Sequence, residues 1–129
     1  MCLMTLNREP FVAGQDITCY KVLEKIAGGY RTPYRNIPIT IPGRIYADSR
    51  EIPSGCDYYF GIKRWVVEAE GVHAYAQREK AKRGATEVKH WFHHDSLVVQ
   101  CRIPEGTEYW RGMHGDIAAR KMLIEKIVD

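Results

Sequence analysis

The chain has 129 residues, with 45% apolar and 27% charged side chains and a formal net charge of +3. These values are typical of one soluble globular domain, and they exclude a disordered chain or a strongly basic one. The N-terminus lacks the basic start and apolar core of a signal peptide, and no apolar run approaches the ~18 residues of a membrane span. We therefore expect a single domain over residues 1–129, with residues 1–16 loosely ordered. The expected location is the cytoplasm, or the host cytoplasm if the source is a virus.

The four cysteines, Cys2, Cys19, Cys56 and Cys101, are widely spaced and form no CxxC pair. A disulfide framework is unusual in a chain of this length with so few cysteines, so we expect reduced thiols. Cys19 and Cys101 each lie in a run of alternating apolar residues, which predicts that both are small core residues.

In the first half of the chain, alternation of apolar residues predicts a strand over residues 17–25. Residues 28–29 are two glycines and predict a turn, which is followed by a loop that Pro33 holds extended. The segments on either side of Gly43 are two short strands or one strand with a bulge. Residues 53–61 read as a loop or a broken segment.

In the second half, residues 65–76 contain at least one strand, and residues 77–84 predict a helix that ends at Gly84. Residues 97–103 are the clearest strand because they are short, β-branched and bounded by proline. The tail, residues 116–129, is ambiguous, and we expect a helical turn before a final strand. Strands outnumber helices without regular alternation. The pattern predicts an α+β domain with a mainly antiparallel sheet and one or two short helices.

The segment YRTPYR repeats a Tyr–Arg pair on either side of Pro33. Aromatic rings stack on bases, and arginine binds phosphate through two hydrogen bonds, so this pairing is typical of a nucleotide-binding loop. The alternative is a rigid proline turn with half-exposed tyrosines. The candidate ligand-binding residues here are Tyr30, Arg31, Tyr34 and Arg35.

A second candidate is the strand-to-helix segment EGVHAYAQREKAKRGA, which contains His73, Tyr75 and Arg78. Its helix has four cations against Glu79, which predicts an anion-binding face or, alternatively, an ordinary solvated face. His73 could act as a base or orient a bound hydroxyl. The alternative is a histidine on a sheet face with one backbone hydrogen bond.

A third candidate is the histidine-rich segment KHWFHHD at residues 89–95, since imidazole and carboxylate groups bind borderline metals. Trp91 and Phe92 interrupt the segment, and a metal site would need a further ligand from elsewhere. We favour a surface loop with Trp91 or Phe92 packing inward, and we predict neither a metal nor a cofactor.

Taken in chain order, the segments CYKVLEK, TPY, GVHAYA, VVQCRIPEGTEYWRG and ARKMLIEKIV resemble a set of small uncharacterised proteins from bacteriophages and bacteria. Those proteins have a Gly-x-His-aromatic strand before a helix. A more distant similarity is to ADP-ribosyltransferase-like domains, through Gly71, His73, Tyr75 and Ala76. Residues 117–121 read IAARK and lack the late catalytic glutamate of that superfamily. The resemblance therefore implies a binding domain more than an enzyme.

We expect a non-enzymatic domain that binds a phosphate-bearing ligand, either a nucleotide or a nucleic acid. The resemblance further implies a phage protein that acts against host defence. The predicted binding residues are Tyr30, Arg31, Tyr34, Arg35, His73, Tyr75 and Arg78.

Two alternatives from other classes stay open. One is an enzyme acting on a nucleotide such as NAD, with His73 as its polar catalytic group. The other is a protein-interaction or structural module in which exposed aromatic residues anchor a partner. The aromatic residues predicted for that role are Tyr58, Tyr59, Tyr109 and Trp110. No membrane partner is expected, and the oligomeric state is open.

Overall fold

The computed structural model describes residues 3–34, 36–47, 52–67 and 72–129. Two residues named above, Arg35 and Gly71, lie outside these ranges. The described residues form thirteen strands and one helix. In chain order these are β1 (Leu3–Thr5), β2 (Phe11–Val12), β3 (Ile17–Ile26), β4 (Gly29–Arg31), β5 (Pro38–Ile39), β6 (Gly43–Tyr46), β7 (Gly55–Tyr59), β8 (Ile62–Val67), β9 (Val72–Tyr75), α1 (Arg78–Phe92), β10 (Ser96–Ile103), β11 (Glu108–Arg111), β12 (Asp116–Ala119) and β13 (Lys121–Ile127).

The strands pair into a small sheet and a large sheet. The small sheet has the order β1-β8-β7, and the large one has the order β2-β11-β12-β9-β3-β10-β13-β6, with β4 pairing β3 and β5. Every pairing between described strands is antiparallel. The predicted α+β organisation with a mainly antiparallel sheet is confirmed, and the described residues contain one helix.

The large sheet curls around the main hydrophobic core. The backbone N–H of Ala47, just after β6, donates to the carbonyl of Arg120 at 2.8 Å, and the N–H of Arg120 donates to Glu108 of β11 at 3.1 Å. Opposite ends of the sheet are thereby tied together, so one core contains Ala13 from beside β2 and Ile45 from β6. The face toward this core is called the inner face below, and the opposite one the outer face.

Cys19 and Cys101 lie directly opposite each other on β3 and β10, and both are completely buried. The prediction that they are core residues is confirmed. Burial raises the pKa of the Cys101 thiol to about 12, and it raises the pKa of Cys19 well above its ordinary value. Cys56, by contrast, lies exposed on β7.

We therefore expect iodoacetamide at pH 8 to alkylate Cys56 in the native protein and to leave Cys19 and Cys101 unmodified. Because the thiolate is the reactive form, a pKa near 12 leaves about a thousandfold less nucleophile than an ordinary thiol has. Peptide mass spectrometry before and after denaturation measures this. Rapid native labelling of Cys101 would contradict the buried position.

The outer face of the large sheet is covered in two places. The small sheet packs over it through Leu3 and Val67, which meet Trp110 and Ala118 in a second hydrophobic cluster. The other cover is α1, whose buried residues are Ala81, Gly84 and Val88.

Charged residues at the two ends of α1 favour a helix there. Glu79 lies in its first turn, and Lys89 and His90 lie in its last, which matches the helix dipole. The chain leaves the helix at His93, whose left-handed φ of 56° lets its N–H donate to the carbonyl of Lys89.

The prediction that the helix ends at Gly84 is wrong. Gly84 is buried in the middle of α1, and a Cβ there would lie 2.7 Å from the hydroxyl of Tyr75. The absence of a side chain at this glycine lets the helix pack directly on that tyrosine.

Three further predictions of local structure are wrong. Residues 55–59 form β7 because they pair with β8 across a two-residue turn. Residues 116–119 form β12, since pairing with β9 and β11 overrides their helical propensity. Residues 89–92 are the last turn of α1, not a loop, and Trp91 is 73% exposed instead of packing inward.

Candidate functional site

The predicted Tyr–Arg loop begins on β4. Arg31 donates from Nε to the Glu24 carboxylate at 2.8 Å, and its Nη2 lies 3.4 Å from Nε2 of His94. Glu24 is only 1% exposed, so Arg31 balances a buried negative charge. Tyr30 packs against the main core, whereas Tyr34 is exposed. The charge of Arg31 is therefore compensated within the fold.

Arg78 is also engaged inside the molecule. Its guanidinium donates to the Asp129 carboxylate at 2.6 Å and to the carbonyl of Val128 at 2.7 Å. This hydrogen bond raises the pKa of Arg78 and lowers that of Asp129. The first residue of α1 is thereby joined to the end of the last strand.

Val72 and Ala74 point into the main core. His73 and Tyr75 alternate with them along β9 and therefore lie on its outer face. Both candidates are partly exposed. The carbonyl of His73 accepts a 2.6 Å hydrogen bond from the ammonium of Lys21 on β3. Burial lowers the pKa of Lys21. This hydrogen bond adds to the short pairing of β9 with β3, in which Tyr75 is opposite Tyr20.

Tyr75 has a polar environment formed by several elements. Its ring lies on Gly84 of α1, and Asp116 on β12 is its cross-strand neighbour. Burial is the main cause that raises the pKa of Tyr75, and charges at Tyr34, Glu87 and Asp116 raise it further. The phenol therefore stays protonated at neutral pH and can donate a hydrogen bond.

Asp116 is the unusual group beside it. Its Oδ1 is buried, and no hydrogen-bond partner is found for it in the described part of the chain. Gly112 makes room for this oxygen, because a Cβ at position 112 would collide with it and with the side chain of Leu3. A buried carboxylate oxygen without a donor is costly, so this oxygen requires a donor from water, an ion or a ligand.

A cation lies at the edge of the same region. The ammonium of Lys80, from the first turn of α1, donates to the carbonyl of His114 at 2.7 Å and lies against Gly115. The carbonyl of Gly115 in turn accepts the N–H of Ala76 at 3.0 Å. The ammonium of Lys80 therefore contacts the two backbone residues that immediately precede Asp116.

These groups define a central crevice, by which we mean the outer-face surface between α1 and β1. Its residues are His73, Tyr75, Lys80, Gly112 and Asp116. The crevice offers an imidazole, a protonated phenol, a carboxylate that lacks a donor, and an ammonium. Such a set can hold a polar ligand that donates to the carboxylate and has an anionic group near the lysine.

The crevice unites only part of the residues predicted from sequence. His73 and Tyr75 belong to it, while Arg31 and Arg78 are bound elsewhere in the fold. Asp116 was missed by the sequence reasoning. Its available signal was a carboxylate flanked by Gly112 and Gly115, since glycines often mark a backbone that leaves space for another group.

The interaction-module prediction is wrong for two of its four aromatic residues. Tyr109 is 9% exposed and Trp110 only 1%, because strand β11 is covered on its inner face by the main core and on its outer face by the small sheet. Tyr58 and Tyr59 are exposed, at 67% and 53%.

A separate groove of about 490 Å³ lies over β6, β10 and β13, and it includes Arg44 and Arg102. In the described ranges, no three His, Cys, Asp or Glu side chains come together as a potential metal site. Among the same residues, no helix is long and apolar enough to cross a membrane.

Family models, curated proteins and solved structures give no match to the chain.

Proposed function

We propose that the protein is a non-enzymatic binding domain for a nucleotide, and that the nucleotide lies in the central crevice. The observation that carries the proposal is the buried Oδ1 of Asp116, which lacks a donor in the described structure. A sugar hydroxyl or a base amino group supplies such a donor. Tyr75 is the cross-strand neighbour of this aspartate, and its protonated hydroxyl offers a further hydrogen bond to the ligand.

The phosphate end of the ligand is assigned to the ammonium of Lys80 on α1. Lys80 lies at the crevice. Lysine binds phosphate as a point charge, so it needs no fixed geometry in the empty protein. The proposal keeps the phosphate-bearing ligand expected from the sequence and moves its phosphate contact from Arg31 and Arg78 to Lys80.

Asp116→Asn tests the proposal. We expect nucleotide affinity to fall about tenfold or more, since a hydrogen bond to a charged group contributes ~1.5–3 kcal/mol. The fold should not lose stability, because the change removes a buried charge that lacks a donor. Melting temperatures recorded with a panel of mononucleotides and dinucleotides give both readouts.

Asp16→Asn is the matched control, because Asp16 is a half-exposed carboxylate outside the crevice, with Arg102 and Glu105 as partners. It should leave nucleotide binding unchanged. The proposal is wrong if no nucleotide raises the melting temperature of the native protein. Unchanged nucleotide affinity in Asp116→Asn would place the ligand elsewhere.

A nucleotide-processing enzyme is the second candidate, because the crevice aligns His73, Tyr75 and Asp116 on neighbouring strands. Imidazole, phenol and carboxylate groups are the usual proton donors and acceptors of catalysis. This candidate requires turnover of a nucleotide such as NAD, detected by chromatography, that is lost in His73→Ala while the fold persists. Binding without any product would support the non-enzymatic proposal.

A further inference from the structure

The hairpin formed by β7 and β8 has an unusual turn. Phe60 and Gly61 join the strands with φ values of 50° and 77°, the signs of a two-residue type I′ turn. The first position of this turn favours asparagine or glycine, since a bulky side chain is strained at positive φ. Phe60 is nevertheless placed there and is 86% exposed. Burial in a hydrophobic core therefore does not explain this phenylalanine.

Phe60 is the centre of an exposed aromatic tip. Tyr58, Tyr59 and Ile62 are 67%, 53% and 55% exposed, and the rings of Tyr59 and Phe60 meet edge to face at 4.4 Å. Exposed apolar side chains that cluster in this way are typical of an interaction site. We call residues 58–62 the aromatic tip.

Cations follow immediately behind the aromatic tip and are stacked on rings. Arg64 lies 4.6 Å from the ring centre of Tyr59, and Lys63 lies 4.3 Å from that of Trp65. Arg8 lies over Trp65 as well, at 5.1 Å. Among the described residues, the carboxylate that pairs with one of these cations is Asp57, through a two-point hydrogen bond with Arg64. The hairpin is thus aromatic at its end and positively charged at its base.

We propose that the aromatic tip and the cations behind it bind single-stranded nucleic acid. A single strand offers unpaired base faces, on which Phe60 and Tyr58 can stack, and phosphates within reach of Lys63 and Arg8. A duplex keeps its bases stacked and hidden. A purely apolar protein pocket would accept Phe60 but would leave the cations without a partner. This surface shares no residue with the central crevice.

The test uses a fluorescein-labelled dT20 oligonucleotide and the intact protein, with binding followed by fluorescence anisotropy at 50 mM salt. Phe60→Asn should weaken binding about tenfold, because stacking on one base contributes a factor of about 5 to 150. Its melting temperature should not fall, since asparagine suits the turn. Lys63→Gln should reduce the slope of log affinity against log salt by about 0.7, the value for one lost phosphate contact.

Tyr46→Asn is the matched control, because Tyr46 is 55% exposed on β6 of the large sheet. It should bind dT20 as the native protein does, and so should Asp116→Asn, which separates this surface from the proposed nucleotide site. Absence of dT20 binding at low salt overturns the proposal, and an apolar protein partner then becomes the better explanation of the aromatic tip. Equal binding by the native protein and Phe60→Asn also overturns it.

Discussion

Replacing Trp110 with alanine should lower the free energy of unfolding by about 3–5 kcal/mol, the usual cost of truncating a large buried aromatic residue. Trp110 is 1% exposed and joins β11 to Leu3 and Val67 of the small sheet. Its indole N–H also donates to the carbonyl of Arg8 at 3.0 Å. Truncation therefore leaves a cavity between the sheets and a carbonyl without its donor.

Denaturant unfolding measures the loss, and Trp91→Ala is the matched control. Trp91 is 73% exposed at the end of α1, so its truncation should change stability by less than about 0.5 kcal/mol. Hydrogen exchange should show faster opening of β1 and β8 in Trp110→Ala, because the cluster holds the small sheet. Equal effects of the two substitutions would contradict the observed burial of Trp110.

Arg31→Ala should also be strongly destabilising, by about 3–5 kcal/mol, because it leaves the buried carboxylate of Glu24 without its cation. The pair is joined at 2.8 Å, and the Glu24 side chain is 1% exposed. Arg78→Ala is the comparison, since its ion pair with Asp129 is exposed and should contribute far less.

The double variant Glu24→Gln with Arg31→Ala gives the decisive comparison. It should be more stable than Arg31→Ala alone, because the uncompensated charge has been removed. If the two are equally stable, the ion pair is not the reason for the loss. The expected loss also matters for ligand studies, because weaker binding by Arg31→Ala would report a damaged fold as readily as a missing phosphate contact.

Alternation of apolar residues was sufficient to predict several strands. On β3 and β10, which pair with each other, the residues that contact the main core are an even number of positions apart: Ile17, Cys19 and Leu23 on one strand, and Leu97, Val99, Cys101 and Ile103 on the other. The prediction of Cys19 and Cys101 as core residues followed from the same pattern. The local sequence pattern was informative here because successive side chains of a strand point to opposite faces. The position of a residue within its own strand therefore decides which face it lies on.

Propensity failed where packing against another element decided the structure. Gly84 suggests a helix end, but it lies inside α1. A glycine is needed there because Tyr75 occupies the space of a side chain. Residues 116–119 have helical propensity but are held as a strand between β9 and β11. Neither neighbour is close in sequence, so no local pattern contains them.

The candidate sites show the same division. Sequence by itself determined a mainly antiparallel α+β fold and singled out His73 and Tyr75 on a strand before a basic helix. Only the tertiary structure paired Arg31 with the buried Glu24, placed Asp116 beside Tyr75, and left Phe60 exposed at a strained turn. The physical reason for this division is that the type of a residue determines only which interactions it can make. The partners that it meets, and the water that it loses, depend on segments far away in the chain.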